Sequence, residues 1–301
     1  METGRFAAAS LALGAISLWA SENLFWIVPP DGWSLPEWGL TWIAYSLASA
    51  TALAMVAWSG MGGIGAAFLG GAVLGYLVEG AVVGTVYDEF PVQLVWTTLA
   101  WHGLITGGVV FGLGRAGARL GPGRMAAIWA ALGLFGGVWA LYWPVEHAML
   151  PGAGVLAGYL VGLGVVVVGG HAVLDRIGQV PRPPLWAMAV APAILALSWL
   201  VQGILTLNPL RLLLPVILWG IWVIMRRLGQ GGAVSLGPPV PVWQHALFLI
   251  APLLTVAIAV PGWAAFGAVE VNWFIAIATG LVSLAWLGRL GWRAFRGMKV
   301  V

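Results

Sequence analysis

Runs of roughly twenty mostly apolar residues, broken by short segments that hold prolines, glycines and charges, repeat along this chain from Phe6 to Gly288. About twenty residues of α-helix cross the ~30 Å hydrocarbon core of a bilayer. Inside that core every backbone N–H and C=O has to be satisfied within the segment. A chain made of such runs folds as an all-α polytopic integral membrane helix bundle. The composition agrees, with 61% of the 301 residues hydrophobic and 8% charged, against about 45–50% apolar residues in a soluble domain. No stretch is left for a sizeable aqueous domain.

Reading the runs against their breakers gives about ten transmembrane spans, at 6–28, 38–58, 61–86, 91–114, 124–148, 151–174, 184–206, 211–225, 243–262 and 270–288. The eighth is short and contains Pro215, so it is expected to be tilted, kinked or re-entrant. The segments around Asp88–Pro91 and Glu146–Pro151 read as loops, because ionisable residues and a proline coincide there. With Arg5 in the cytoplasm and ten spans following, the inner side receives Arg5, Arg115, Arg119, Arg124, Arg176, Arg182, Arg226, Arg227, Arg289, Arg293, Arg296 and Lys299. That is twelve of the thirteen basic residues, the bias of the positive-inside rule. Both termini are therefore expected to be cytoplasmic, in a bacterial cytoplasmic (inner) membrane. The first span lacks a pair of small residues at cleavage spacing and reads as retained rather than as a signal peptide.

A formal net charge of +3 follows from this orientation. With no clustered basic face, nucleic acid is excluded as a partner, which leaves membrane lipids and a homo-oligomer or a larger membrane complex. The absence of cysteine excludes disulfides, thiolate metal sites and cysteine nucleophiles. Glycine pairs such as Gly71/Gly75 and Gly80/Gly84 have the spacing that lets membrane helices approach closely. Trp33, Trp38, Trp143 and Trp263 fall at helix ends, where indoles anchor in the headgroup layer, whereas Trp96, Trp101, Trp139 and Trp199 lie deeper, as filling or as a pocket wall.

The acids sort to the other side. Glu22, Asp31, Glu37, Glu79, Asp88, Glu89, Glu146 and Glu270 fall in the outer half, and only Glu2 and Asp175 inside. Glu22 and Glu79 precede the ends of their spans by several residues, at a depth of about 8–14 Å at 1.5 Å per residue. A charge at such depth is costly and usually faces the bundle interior with a function. His102, eleven residues past Pro91, falls near mid-membrane, about 16 Å in. Thr98, His102 and Thr106 recur at four-residue spacing and make one polar stripe. Tyr76 shares a face with Glu79, Ser21 and Asn23 flank Glu22, and Trp139, Tyr142, Trp143 and Glu146 form a second stripe beside His147.

The candidate catalytic residues are therefore Glu22, Glu79, His102 and Glu146, with Arg211, Trp101 and Tyr76 as candidate substrate-binding residues. Carboxylates beside imidazoles split acid and base roles or hold a divalent metal through oxygen and nitrogen. His102, His147 and Glu79 are the candidate ligands. Arg211 is the one basic residue placed outside, to pair with Glu270 or Glu79, to contact a phosphate or carboxylate, or to snorkel to headgroups. His171 and His245, at inner helix ends, are a conceivable haem pair. A break at Pro151 divides the chain into residues 1–150, a five-helix half carrying the polar site, and 151–301, mainly scaffold; an odd number of helices per half would make a repeat inverted, as in transporter folds. Three functions fit: an intramembrane enzyme acting on a lipid or isoprenoid-like substrate from an outward-facing pocket, a transporter using the buried Glu and His as protonatable or ion-binding groups, and a non-catalytic subunit of a pigment- or haem-containing complex.

Overall fold

The computed structural model describes residues 2–23, 26–30, 32, 34–117, 120–231 and 233–297. Asp31, Trp33, Arg119, Lys299 and the side chain of Ser21 lie outside the described residues. The chain is nearly all helical, and among the described residues nine helices are long and apolar enough to cross a membrane. They follow a more polar first helix, α1 (Glu2–Ser17), which continues through a π-helical turn, Leu18–Glu22. The nine are α2 (Leu35–Ser59), α3 (Gly63–Val83), α4 (Val92–Ala116), α5 (Pro122–Glu146), α6 (Ala153–Ile177), α7 (Leu185–Thr206), α8 (Pro209–Leu228), α9 (Val242–Phe266) and α10 (Asn272–Phe295). The short eighth run is a 20-residue helical segment, a 3₁₀ turn, Pro209–Leu212, followed by α-helix, Leu213–Leu228; Pro215 falls in the first turn of the α-helical part, where a missing N–H is harmless.

Glycine sets how these helices pack. At the crossing of α3 and α4, a Cβ on Gly71 would lie 2.5 Å from the carbonyl oxygen of His102, and one on Gly75 would lie 2.5 Å from that of Thr98. From the other side, a Cβ on Gly107 would run into the Ala67 carbonyl oxygen. Backbone thus touches backbone, the close approach that small residues permit between membrane helices. The crossing of α5 and α9 is built alike, with Gly133 against the Ala251 backbone and Gly137 against Ile258. The four helices α1 to α4 form one compact group, α1 also packs on α6, and α5, α6 and α9 form a second group. Helices α7, α8 and α10 lie on the outside of the first group and bury little of their apolar surface, as lipid-facing helices do.

One end of the bundle is closed by arginines. Arg182 donates to the Ala57 carbonyl and Arg226 to that of Trp58. Arg115 pairs with Asp175 at 2.6 Å, and Asp175 in turn holds His245 Nε2 at 2.6 Å and the Val240 N–H at 2.9 Å. These contacts pin a two-residue antiparallel ladder, β1 (Gln179–Val180) with β2 (Val234–Ser235).

The glycine crossings carry a stability test. Replacing Gly133 by Val drives a branched side chain into the Ala251 backbone and should lower stability by about 1–3 kcal/mol, read as a drop in unfolding temperature in detergent. Gly158, whose Cβ would meet nothing within 4 Å, should accept the same change without a shift.

Candidate functional site

Glu22, Glu79 and His102 converge. Glu22 ends the π-helical turn after α1, Glu79 stands in a π-helical segment, Val78–Val83, that completes α3, and His102 lies in a long π-helical stretch, Trp96–Leu113, inside α4. All three thus sit on wide-turn backbone, a conformation that is rare and frequent at functional sites. His102 Nε2 is 3.2 Å from Glu79 Oε1 and 3.4 Å from Glu22 Oε1. One ligand atom from each residue lies within 4.8 Å of the others. The imidazole is 1% exposed, the Glu79 side chain 11% and that of Glu22 22%, so the cluster is approached from the Glu22 side.

The surroundings orient both carboxylates. The Tyr45 hydroxyl donates to Glu22 Oε1 and the Thr85 hydroxyl to Glu79 Oε2. Asn23, next to Glu22, is held by the Leu18 carbonyl at 3.0 Å and by the Tyr159 hydroxyl at 2.6 Å. Thr98, His102 and Thr106 are all buried, so the polar stripe of α4 faces protein along its whole length.

Helix α3 ends sooner than its apolar run. It stops four residues after Glu79, where Gly84 takes a left-handed φ of 100°. Glu79 therefore sits nearer its helix end than the expected span at 61–86 placed it, and the bundle, rather than depth alone, buries it.

An α3 ending inside the bundle leaves carbonyls without intrahelical donors, and Tyr87 together with side chains from the second half of the chain supplies them. The Ala81 carbonyl accepts from Ser198 at 2.7 Å, that of Val82 from Gln202 Nε2 at 2.8 Å, and that of Gly80 from the Tyr87 hydroxyl at 3.0 Å and from Arg211 at 3.4 Å. Arg211 is 4% exposed. It also contacts the Trp199 carbonyl and Gln202 Oε1, both at 3.2 Å, and lies over the Tyr87 ring at 4.8 Å. Its guanidinium thus sits at the negative end of a helix dipole. Burial pushes the Tyr87 phenol above its usual range.

Other expected site residues fall elsewhere. Glu146 accepts from Tyr142 within its own turn, and His147 packs beside Trp143 at 5.4 Å; neither belongs to the three-residue cluster. Tyr76 donates to the Leu94 carbonyl at 2.8 Å, tying α3 to α4. Trp101 stacks in a triangle with Trp96 and Trp139, centroids 5.2–5.4 Å apart. His171 and His245 stack nearly parallel at 5.3 Å, and His245 Nε2 is taken by Asp175. Sequence reasoning missed Tyr45, Thr85, Ser198 and the role of Gln202. Tyr45 and Thr85 carry no spacing signal, whereas Ser198 and Gln202 are four residues apart on one apolar helix.

The donor set suits a divalent cation. Two ligands about 2.1 Å from a tetrahedral metal stand about 3.4 Å apart, the separation seen from His102 Nε2 to each carboxylate. Charge fits as well, since one imidazolium offsets one carboxylate whereas a divalent ion beside a neutral imidazole offsets both. Comparison of the chain with protein-family models, with curated proteins and with solved structures finds no match.

The supporting shell predicts a measurable cost. Gln202→Leu strips donors from the Ala81 and Val82 carbonyls and should destabilise the protein by about 1–3 kcal/mol. Thermal unfolding in detergent reads the change, and an unshifted midpoint would mean that the end of α3 does not depend on Gln202.

Proposed function

We propose that this protein is an enzyme of the bacterial inner membrane that binds a divalent cation between Glu22, Glu79 and His102 and acts there on a lipid or isoprenoid-like substrate. The observation that carries the reading is the convergence of two carboxylates and an imidazole from three separate helices within 4.8 Å. Glu22, Glu79 and His102 would hold the cation, which would supply Lewis-acid chemistry toward a carbonyl or phosphoryl oxygen or a bound water. Glu22, the most exposed of the three, faces the incoming substrate, and Tyr45 and Thr85 hold the carboxylates in place. Arg211 and Gln202 act as positioning residues through the end of α3. The half at 1–150 supplies the ligands and the half at 151–301 the brace.

In this reading the chain spans the bilayer ten times, counting α1, with both termini in the cytoplasm and the cluster in the outer half. Support comes from the arginines gathered at one end of the bundle and the glutamate cluster toward the other. A second reading, a transporter, is favoured by one observation. A cavity begins one helical turn from the cluster, at Ser17, Ser49 and Thr106, and runs to Arg115, as a route toward the arginine-rich side would.

Metal analysis of the purified protein tests the site. The wild-type chain should retain or take up about one zinc or manganese ion, and Glu22→Gln with Glu79→Gln should lose it. Tyr45→Phe should weaken binding by roughly 10–100-fold, the usual cost of an outer-shell partner. A double variant that still holds the metal, or a wild type that binds none, would overturn the proposal. Metal-dependent turnover of detergent-solubilised lipid favours the enzyme, and cation flux into sealed vesicles favours the transporter.

Topology has its own test. Cysteines placed in this cysteine-free chain at the exposed positions Met149 and Ala268 should react with an impermeant thiol reagent from outside, and ones at Leu120 and Ala233 should not. Labelling of both pairs from one side would refute ten spans.

A further inference from the structure

A cavity begins one helical turn below the cluster. It holds about 400 Å³ and is walled by Leu13, Ala52, Leu53, Val56, Leu174 and Phe111, among others. From Gly63 to Leu74 its wall on α3 runs eleven residues, about 16 Å at 1.5 Å per residue. The cavity is open at Gly62, Gly63 and Ile64, which are exposed, and closed at Ser17, Ser49, Leu74 and Thr106, which are buried.

Two features define the ligand further. The closed end is polar, and the Ser49 hydroxyl there is 2% exposed and has no hydrogen-bond partner, which costs free energy until an oxygen or N–H meets it. Arg115, the charged residue on the wall, has its guanidinium engaged by Asp175 and by the Leu236 and His171 carbonyls. No free charge awaits a head group. Ser49 lies one turn from Tyr45 and Thr106 one turn from His102, so a head bonded to Ser49 stops just short of the Glu–His cluster.

We infer that this cavity binds one acyl or prenyl chain bearing a small uncharged oxygen head, with the head at Ser49 and Thr106 and the chain leading out past Ile64. The site lies apart from the approach to the cluster at Glu22, and its occupancy does not depend on the enzymatic reading.

Photolabelling tests the inference directly. Hexadecanol carrying a diazirine at its methyl end is irradiated with the purified full-length protein in detergent, and the labelled residues are mapped by mass spectrometry. Label should concentrate at residues 61–67 and 111–116. Ala52→Phe, which fills the cavity, and Ile64→Trp, which narrows its mouth, should each cut labelling by about ten-fold, a loss of ~1.4 kcal/mol in affinity. Competition by unlabelled farnesol against unlabelled hexadecanol tells a prenyl from an acyl preference, and either winner supports the site. Label spread over the lipid-facing α7, α8 and α10, or unchanged in both variants while they unfold at the wild-type temperature, overturns it. Label at Ser49 or Thr106 overturns the orientation and so the proposal as stated. Glu22→Gln should abolish metal binding while leaving the label in place, which separates failure of the cation site from failure of the chain site.

Discussion

The close crossing of α3 and α4 is the contact on which the site depends. Gly71 and Gly75 let the backbone of α3 lie against the carbonyls of His102 and Thr98, and Gly107 returns the approach toward Ala67. At this separation Glu79 reaches the His102 ring, and a side chain in place of either glycine on α3 would push α4 away. Glu22 joins the pair because α1 packs along α2 through Gly14, whose Cβ would collide with the Ser46 hydroxyl. Small residues in membranes are read as interfaces; here one such interface also sets the spacing of a potential metal site.

The backbone that carries the three side chains is unusual in the same place. π-Helical turns widen the helix and loosen its hydrogen-bond ladder, and a carbonyl left bare in a membrane costs several kcal/mol. Ser198, Gln202 and Arg211 answer that cost at the end of α3, and Tyr87 adds a fourth donor. The second half of the chain, poor in deep polar groups, thereby satisfies the backbone that presents Glu79. A buried arginine that binds carbonyls at a helix C-terminus needs no carboxylate partner, which accounts for an isolated cation at the end of the bundle where acids prevail.

The two ends of the bundle handle charge in opposite ways. At the arginine-rich end Asp175 is saturated by Arg115, His245 and the Val240 amide, and the result is a closed knot holding a short β-ladder. Toward the other end two glutamates share one imidazole, with hydroxyls from Tyr45 and Thr85 and no arginine or lysine in the group. The first arrangement stabilises a fold, and the second is left short of positive charge, as a cation site is. The cavity lies between them, walled mainly by residues of α1 to α4 with Leu174 and the 234–238 segment, its polar end toward the glutamates.

The sequence by itself determined the solvent, the architecture and most helix limits. Apolar runs of bilayer length admit only helices, and the breakers between them place the ends of α2 and α4 to α9 within a few residues. It also singled out Glu22, Glu79 and His102, because an ionisable side chain in an apolar run is too costly to be incidental. What it could not supply is distance: periodicity assumes 3.6 residues per turn, and the π-helical turns at all three positions break that assumption. Glu146 and His147, equally conspicuous in the sequence, lie on another helix end and fall outside the cluster, while Tyr45 and Thr85 enter it unannounced. Arg211 shows the same limit, since its partners are backbone carbonyls, which no sequence displays. Only the packing of α1, α3 and α4 through their glycines decided which polar groups meet, because burial energy fixes which residues leave water and backbone contact fixes which of them touch.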